Sequence, residues 1–296
     1  MEHTLHDFFK KEGGVLLAGA CGTEIQRRGI PTPLPLWSVH ALLEHPDVVK
    51  QIHSDYIRAG AEVITTNTFR TTARALSKGG IGERARSLTR LASRLAKEAV
   101  SEAGAGRTIL VGGSIAPLED CYEPSLVPPL DVAYREHTEQ AQNFVGSGVD
   151  FIMLETFNTI GEARAAHRAV REAGFRAVVS FTTGADGNIL SGETLEDAAR
   201  EFAQDPPLAL CINCIQLPTT EIALRKLAAA TELPIGIYAN GEGHPHDDQG
   251  WLFTDSTNPD EYADYAKKWR SIGATIIGGC CGTTPAYIQK LKQELF

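Results

Sequence analysis

No stretch of this chain approaches the ~18 consecutive apolar residues of a membrane span. The N-terminal MEHTLHDFFKKEGG also lacks the apolar core of a secretory signal. These absences predict a cytoplasmic protein with no membrane partner. A basic surplus is missing too. Acidic residues outnumber basic ones 37 to 28, giving a net charge of −9, which argues against a nucleic-acid or anionic-lipid surface. There is no Walker motif and no G-x-S-x-G, and no lysine stands at a predicted strand end, so a Schiff-base aldolase finds no support. Hydrophobic content of 43% and charged content of 22% exclude a disordered or fibrous chain. At 296 residues the chain can bury a large core without disulfide staples.

What is present is a rhythm. Short β-branched or apolar runs alternate with longer segments of helical period. The runs are VLLAG (15–19), EVITTN (62–67), TILVGGS (108–114), DFIMLET (150–156), AVVSFTT (177–183), LALCINC (208–214), PIGIYAN (234–240) and ATIIGGC (274–280). Several are apolar on consecutive positions, as strands covered on both faces should be. Between them, Pro46 marks a helix start and Gly60 its end. Thr194 with Asp197, Asn258 with Pro259, and Thr284 with Pro285 supply further N-terminal signals. Strand starts advance by about 37 residues, one β-loop-α-loop unit. The pattern predicts a single (β/α)8 TIM barrel over residues 1–296. An open doubly wound sheet is the alternative, but GACGTE after the first run is not G-x-G-x-x-G. The longest irregular stretches, 29–41, 116–130 and 241–258, adjoin the first, third and seventh runs. In a barrel, loops that follow strands build the active-site face.

The strongest chemical signal is Cys214 with the adjacent pair Cys280 and Cys281. They end the sixth and eighth runs, so all three should reach one rim. Neighbouring residues of a strand face opposite ways, so the pair can converge only where the chain bends. Gly278, Gly279 and Gly282 would permit that. Three converging thiolates make a soft site suited to zinc, with a fourth position left for substrate. Core packing and a Cys280–Cys281 redox pair remain alternatives at this point; thiols in a cytoplasmic chain should stay reduced. Cys211 stands three residues before Cys214, so strand alternation sends it to the opposite face and into packing. Cys21 could line the rim, and Cys121 has no assigned role. Arg86, Arg90 and Arg94 recur at helical spacing as a solvated face. In GEGHPHDDQG, His244, His246, Asp247 and Asp248 could ligate a metal or simply form a solvated rim loop.

LLAGACGTEIQRRG, LWSVHALLEHPDVVKQIHSDYIRAGAEVITTNTF, MLETF, INCIQ, YANGEG and IGGCCGTTPAYI occur in this order across nearly the whole chain. With these motifs the sequence resembles the zinc-dependent homocysteine S-methyltransferases, and within them the short bacterial enzymes that use S-methylmethionine. With only a short stretch after GGCC, the resemblance predicts no cobalamin or folate module. The resemblance implies a (β/α)8 barrel holding Zn2+ through Cys214, Cys280 and Cys281. The partners are a small-molecule thiol, homocysteine, and a sulfonium methyl donor, S-methylmethionine or S-adenosylmethionine. It also implies that Trp37 faces the onium donor and that Glu155 binds the acceptor's ammonium. Asn213, Asn240, Thr66 and Asn67, at strand ends, are further candidates for substrate binding. One position departs from the family pattern. The family carries an aspartate between the leucine and glycine of the first run, where this chain reads Leu17-Ala18-Gly19. Losing that anchor leaves open a different small thiol as acceptor, or a non-catalytic zinc-binding barrel. Thr156, where betaine enzymes carry tyrosine, counts against betaine as donor.

Overall fold

The structure, a computed structural model, describes all residues except 1, 105, 247–249 and 255–256. Eight parallel strands form the barrel: β1 (Val15–Leu16), β2 (Val63–Thr65), β3 (Leu110–Ile115), β4 (Phe151–Phe157), β5 (Ala177–Phe181), β6 (Ala209–Asn213), β7 (Ile235–Ala239) and β10 (Ile276–Gly279). A separate antiparallel hairpin, β8 (His244–His246) and β9 (Gly250–Leu252), interrupts the rhythm before the last helix pair. The sheet order is β1-β10-β7-β6-β5-β4-β3-β2. A parallel bridge between Leu17 and Val63 joins its two ends, so the expected barrel is the observed fold. Each predicted run overlaps one strand, with β3 and β4 reaching one residue beyond theirs.

The two apolar clusters are the two faces of this sheet. Val15, Leu17, Val63, Phe151, Met153, Val178, Ala209, Cys211, Tyr238 and Ile276 fill the interior. The residues between them, such as Leu16, Ile64, Ile152, Leu210, Ile212 and Ile277, pack outward under the helices. That double burial explains why the runs read as continuous apolar stretches rather than alternating ones. Each fully buried aliphatic contributes about 1.5–3 kcal/mol. Gly112 in β3 leaves the space that the Phe151 ring occupies, since a Cβ there would stand 3.0 Å from it.

Helix signals held with one exception. Helix Pro46–Ala59 ends at Gly60 with φ 114°. Thr194 Oγ1 accepts from the Asp197 amide, and Asn258 accepts from the amides of Asp260 and Glu261. Thr284 precedes helix Pro285–Leu295, but its side chain makes no capping bond. Ahead of the first strand, Glu2–Phe9 is helical. Phe9 enters the barrel's interior cluster edge-on to Phe151, with centroids 5.2 Å apart. Arg86 and Arg94 are exposed on helix Ala85–Ala103, as expected of a solvated face. No described helix is long and apolar enough to cross a membrane.

Candidate active site

A cavity of about 460 Å3 opens at the C-terminal ends of the strands, within the range of small-molecule sites. Segments from all three long irregular stretches reach it: Trp37 from the first, Tyr122 from the second, and Pro245, His246 and Trp251 from the third. Of the metal-binding loop candidates, His246 lines the cavity and His244 is exposed on β8; Asp247 and Asp248 lie outside the described residues.

Cys214, Cys280 and Cys281 meet on the cavity wall, their sulfurs all within 4.8 Å of one another. Cys214 and Cys281 sulfurs are 4.0 Å apart. Those of Cys214 and Cys280 are in disulfide contact, with Cα atoms 5.6 Å apart. The sequence's redox alternative paired Cys280 with Cys281; the close contact here joins Cys214 and Cys280 instead.

The backbone that brings the thiols together differs from the expected one. Strand β6 alternates Cys211 inward, Ile212 outward and Asn213 inward. Continued alternation would turn Cys214 away from the mouth. Its φ of 55° breaks the alternation instead, a left-handed conformation uncommon outside glycine. Cys211 stays fully buried in the barrel interior. At the other end, the pair sits in the turn after β10. Only Gly282 supplies a left-handed φ there, 78°, and a Cβ would stand 2.1 Å from the Glu242 carbonyl oxygen. Gly279 is required for close approach, because a Cβ would meet Thr283 Oγ1 at 2.3 Å. Two bonds pin the turn: the Gly241 amide donates to the Cys281 carbonyl at 2.7 Å, and the Gly282 amide to Thr23 Oγ1 at 3.0 Å.

Positive φ values occur at three non-glycine positions among the described residues: Trp37, Thr156 and Cys214. All three line the cavity. Backbone strain of this kind costs about 1–3 kcal/mol per residue and clusters at functional sites. The Asn213 side chain holds one of them, Thr156. Its Oδ1 accepts from the Thr156 amide (2.9 Å) and from Ser180 Oγ (2.6 Å). Its Nδ2 donates to Thr156 Oγ1 (2.7 Å) and reaches Cys280 Sγ at 3.9 Å. An amide has two donors and two lone pairs, so Asn213 has none to spare for a ligand and stands behind the cavity wall. Its geometry is that of a brace between β4 and the thiols.

Glu155 lines the cavity, and burial pushes its carboxyl up to about 7, against the lowering effect of the Ser114 hydroxyl that donates to it. No protein cation is among the groups acting on it. Cys281 is likewise pushed up to about 12 by burial, with Glu155 among the charges that add to the effect. Asn67 lines the cavity, but its amide is committed to Ser38, accepting from Oγ at 2.5 Å and donating to the carbonyl at 3.0 Å. It thereby fixes the turn carrying Trp37. Thr66, also on the wall, accepts from the Ser114 amide at 3.1 Å. The Trp37 indole is gripped by two glycines: a Cβ on Gly22 would stand 2.3 Å from it and one on Gly250 1.9 Å. Asn240 is buried and does not line the cavity, and its side-chain oxygen has no hydrogen-bond partner among the described residues. Ala18, Cys21 and Cys121 are on the wall, and burial pushes both thiols up to about 12.

Sequence reasoning missed Ser114, Tyr122 and Arg70. Ser114 ended a predicted run, and that position was the available signal. Tyr122 and Arg70 belong to loops, where no periodicity marks a side chain that turns inward.

The three converging sulfurs, when reduced, suit a soft metal ion. The donors share one cavity wall, a carboxylate lies nearby, and no cationic side chain acts on Cys281 to stabilise its thiolate. A cation bound by the sulfurs would reverse that, since a metal-bound thiol is deprotonated.

Barrel and mouth together define a (β/α)8 protein with a potential thiolate metal site at the C-terminal face of its strands. Residues 15–295 match the homocysteine S-methyltransferase family model, and the chain belongs to that family of methyltransferases. It is 32% identical to the homocysteine S-methyltransferase of Escherichia coli (strain K12), covering 97% of each chain. It is 28% identical to a selenocysteine Se-methyltransferase of Brassica oleracea var. italica, over 99% of this chain and 92% of that one. The crystal structure of the homocysteine methyltransferase MmuM from Escherichia coli in its metallated form superposes with a TM-score of 0.84 at 30% identity, covering 98% of this chain and 99% of the other.

Proposed function

We propose that this protein transfers a methyl group from a sulfonium donor, S-methylmethionine or S-adenosylmethionine, to the sulfur of homocysteine, giving methionine, with Zn2+ held by Cys214, Cys280 and Cys281. The observation that carries the reading is the convergence of these three sulfurs inside a substrate-sized cavity. Zinc bound there would supply a thiolate form of the acceptor at neutral pH and fix its position.

The chain's own residues do the rest. Glu155, a carboxylate with no protein cation beside it, receives the acceptor's α-ammonium and keeps the sulfur end toward the cysteines. Trp37 offers its indole to the sulfonium, an attraction worth about 0.5–2 kcal/mol. Holding nucleophile and methyl in line is the main catalytic requirement. The new S–C bond forms as the donor's C–S bond breaks. The leaving group departs as a neutral thioether, so no general acid is needed. Thr66 and Asn67 shape the wall beside Trp37, and Asn213 and Asn240 act from behind it.

Ala18 places a methyl group on this wall. Homocysteine binding should therefore be weaker than with a second acidic anchor. A panel of thiols and methyl donors, assayed with zinc-loaded protein, tests the reading. Methionine formed from homocysteine and S-methylmethionine is the expected result. Transfer only to thiols lacking an ammonium group would reassign the acceptor, and zinc binding with no transfer would contradict the proposal.

A further inference from the structure

Arg70 lies in the turn after β2, and its side chain lines the same cavity as Glu155 and the three thiols. It is the sole permanently cationic side chain among the described lining residues. The acids on that wall are Asp120 and Glu155. Arg70 lies against the Phe69 ring, 5.7 Å from its centroid, and no carboxylate or carbonyl accepts from its guanidinium among the described residues. Arg74, four positions on, shows the contrast. Its guanidinium is clamped by Glu119 at 2.8 Å and Glu136 at 2.7 Å. A planar fork of five donors on the cavity wall, accepted by neither Asp120 nor Glu155, suits an incoming carboxylate, which it can bind through two parallel bonds.

Its place in the cavity says which carboxylate. Arg70 follows β2, which in the closed strand order stands opposite β6, the strand that leads to Cys214; β4, which carries Glu155, lies between the two. An acceptor whose sulfur rests at the cysteines and whose ammonium meets Glu155 fills the β4-to-β6 side of the mouth. A second amino acid, approaching the acceptor sulfur from the other side, would carry its own carboxylate toward β2 and Arg70.

We infer that Arg70 binds the α-carboxylate of the methyl donor and makes the site selective for amino-acid sulfonium donors over sulfonium compounds that lack a carboxylate. The inference rests on the proposed methyl-transfer reading. Calorimetric titration of the metal-loaded protein with S-methylmethionine and with its methyl ester, for the wild type and Arg70→Gln, tests it. The wild type should bind the acid at least about tenfold more tightly than the ester. Arg70→Gln should weaken acid binding by about 10- to 100-fold, leave the ester unchanged and leave homocysteine affinity unchanged. Arg70→Lys should recover part of the preference, because it restores charge without the fork. An acid-to-ester ratio preserved in Arg70→Gln, or a loss falling on homocysteine instead, would overturn the assignment while leaving the methyl-transfer reading intact. A wild type that binds neither compound would sink the sulfonium-donor reading and Arg70's role together.

Discussion

Two cysteines three residues apart, Cys211 in β6 and Cys214 just after it, meet opposite fates. Cys211 lies within regular β6, inside the barrel, where a Cβ on Gly236 would stand 2.6 Å from its sulfur. Cys214 lies one residue past the strand, at φ 55°, with its sulfur against those of Cys280 and Cys281. Residue type is the same and only backbone conformation differs. The lesson extends to the whole barrel: regular, apolar and glycine-fitted within the strands, bent and polar just beyond their C-terminal ends.

The comparison breaks most sharply by mutating each sulfur in turn. Cys214→Ser should abolish both zinc retention and turnover. Cys211→Ala should keep the zinc, losing only packing, about 1 kcal/mol. Metal analysis and the methyl-transfer assay on both variants decide the matter. Gly282→Ala comes next. Its left-handed φ and the 2.1 Å approach to the Glu242 carbonyl should cost about 2–4 kcal/mol and loosen the Cys280–Cys281 turn, read as a lower denaturation midpoint together with weaker zinc binding. Asn213→Ala leaves the Thr156 amide and Ser180 hydroxyl without their acceptor, for a loss of about 2–3 kcal/mol by denaturant titration.

Smaller effects probe the substrate end of the cavity. With its carboxyl pushed up to about 7, Glu155 loses its charge as pH falls through that value. Homocysteine affinity should therefore drop about tenfold per pH unit below it. Glu155→Gln should bind more weakly at pH 8 and lose that dependence, measured as a dissociation constant against pH. Ala18→Asp should tighten homocysteine binding by about 1.5–3 kcal/mol if the new carboxylate reaches the ammonium. Unchanged affinity would remove the case for a missing anchor.

The strands and most helix ends were legible because burial on both faces and capping chemistry leave local marks. Pro46, Gly60, Thr194 and Asn258 are read directly from such marks. The thiol cluster was legible through its cysteines and their strand-end positions, but not the means of convergence. Strand alternation through residue 214 was the wrong premise, because nothing local in Ile212-Asn213-Cys214 announces a left-handed cysteine. The residue before it, Asn213, is held by distant groups, Thr156 and Ser180. Asn67 and Asn213 carried the right positions and a different use: their amides are spent on Ser38 and on the β4 bulge rather than offered to a ligand. Arg70 and Tyr122 were invisible for the same reason, as a loop's inward face is set by tertiary packing.

The central claim is that three sulfurs of this chain bind one metal ion. X-ray absorption at the zinc edge of reduced, zinc-loaded protein tests it most directly. One zinc per chain with three protein sulfurs in its coordination shell, and no sulfur-bound zinc in Cys214→Ser, is the predicted result. Zinc surrounded by nitrogen and oxygen alone, or a shell unchanged by that substitution, would contradict the account.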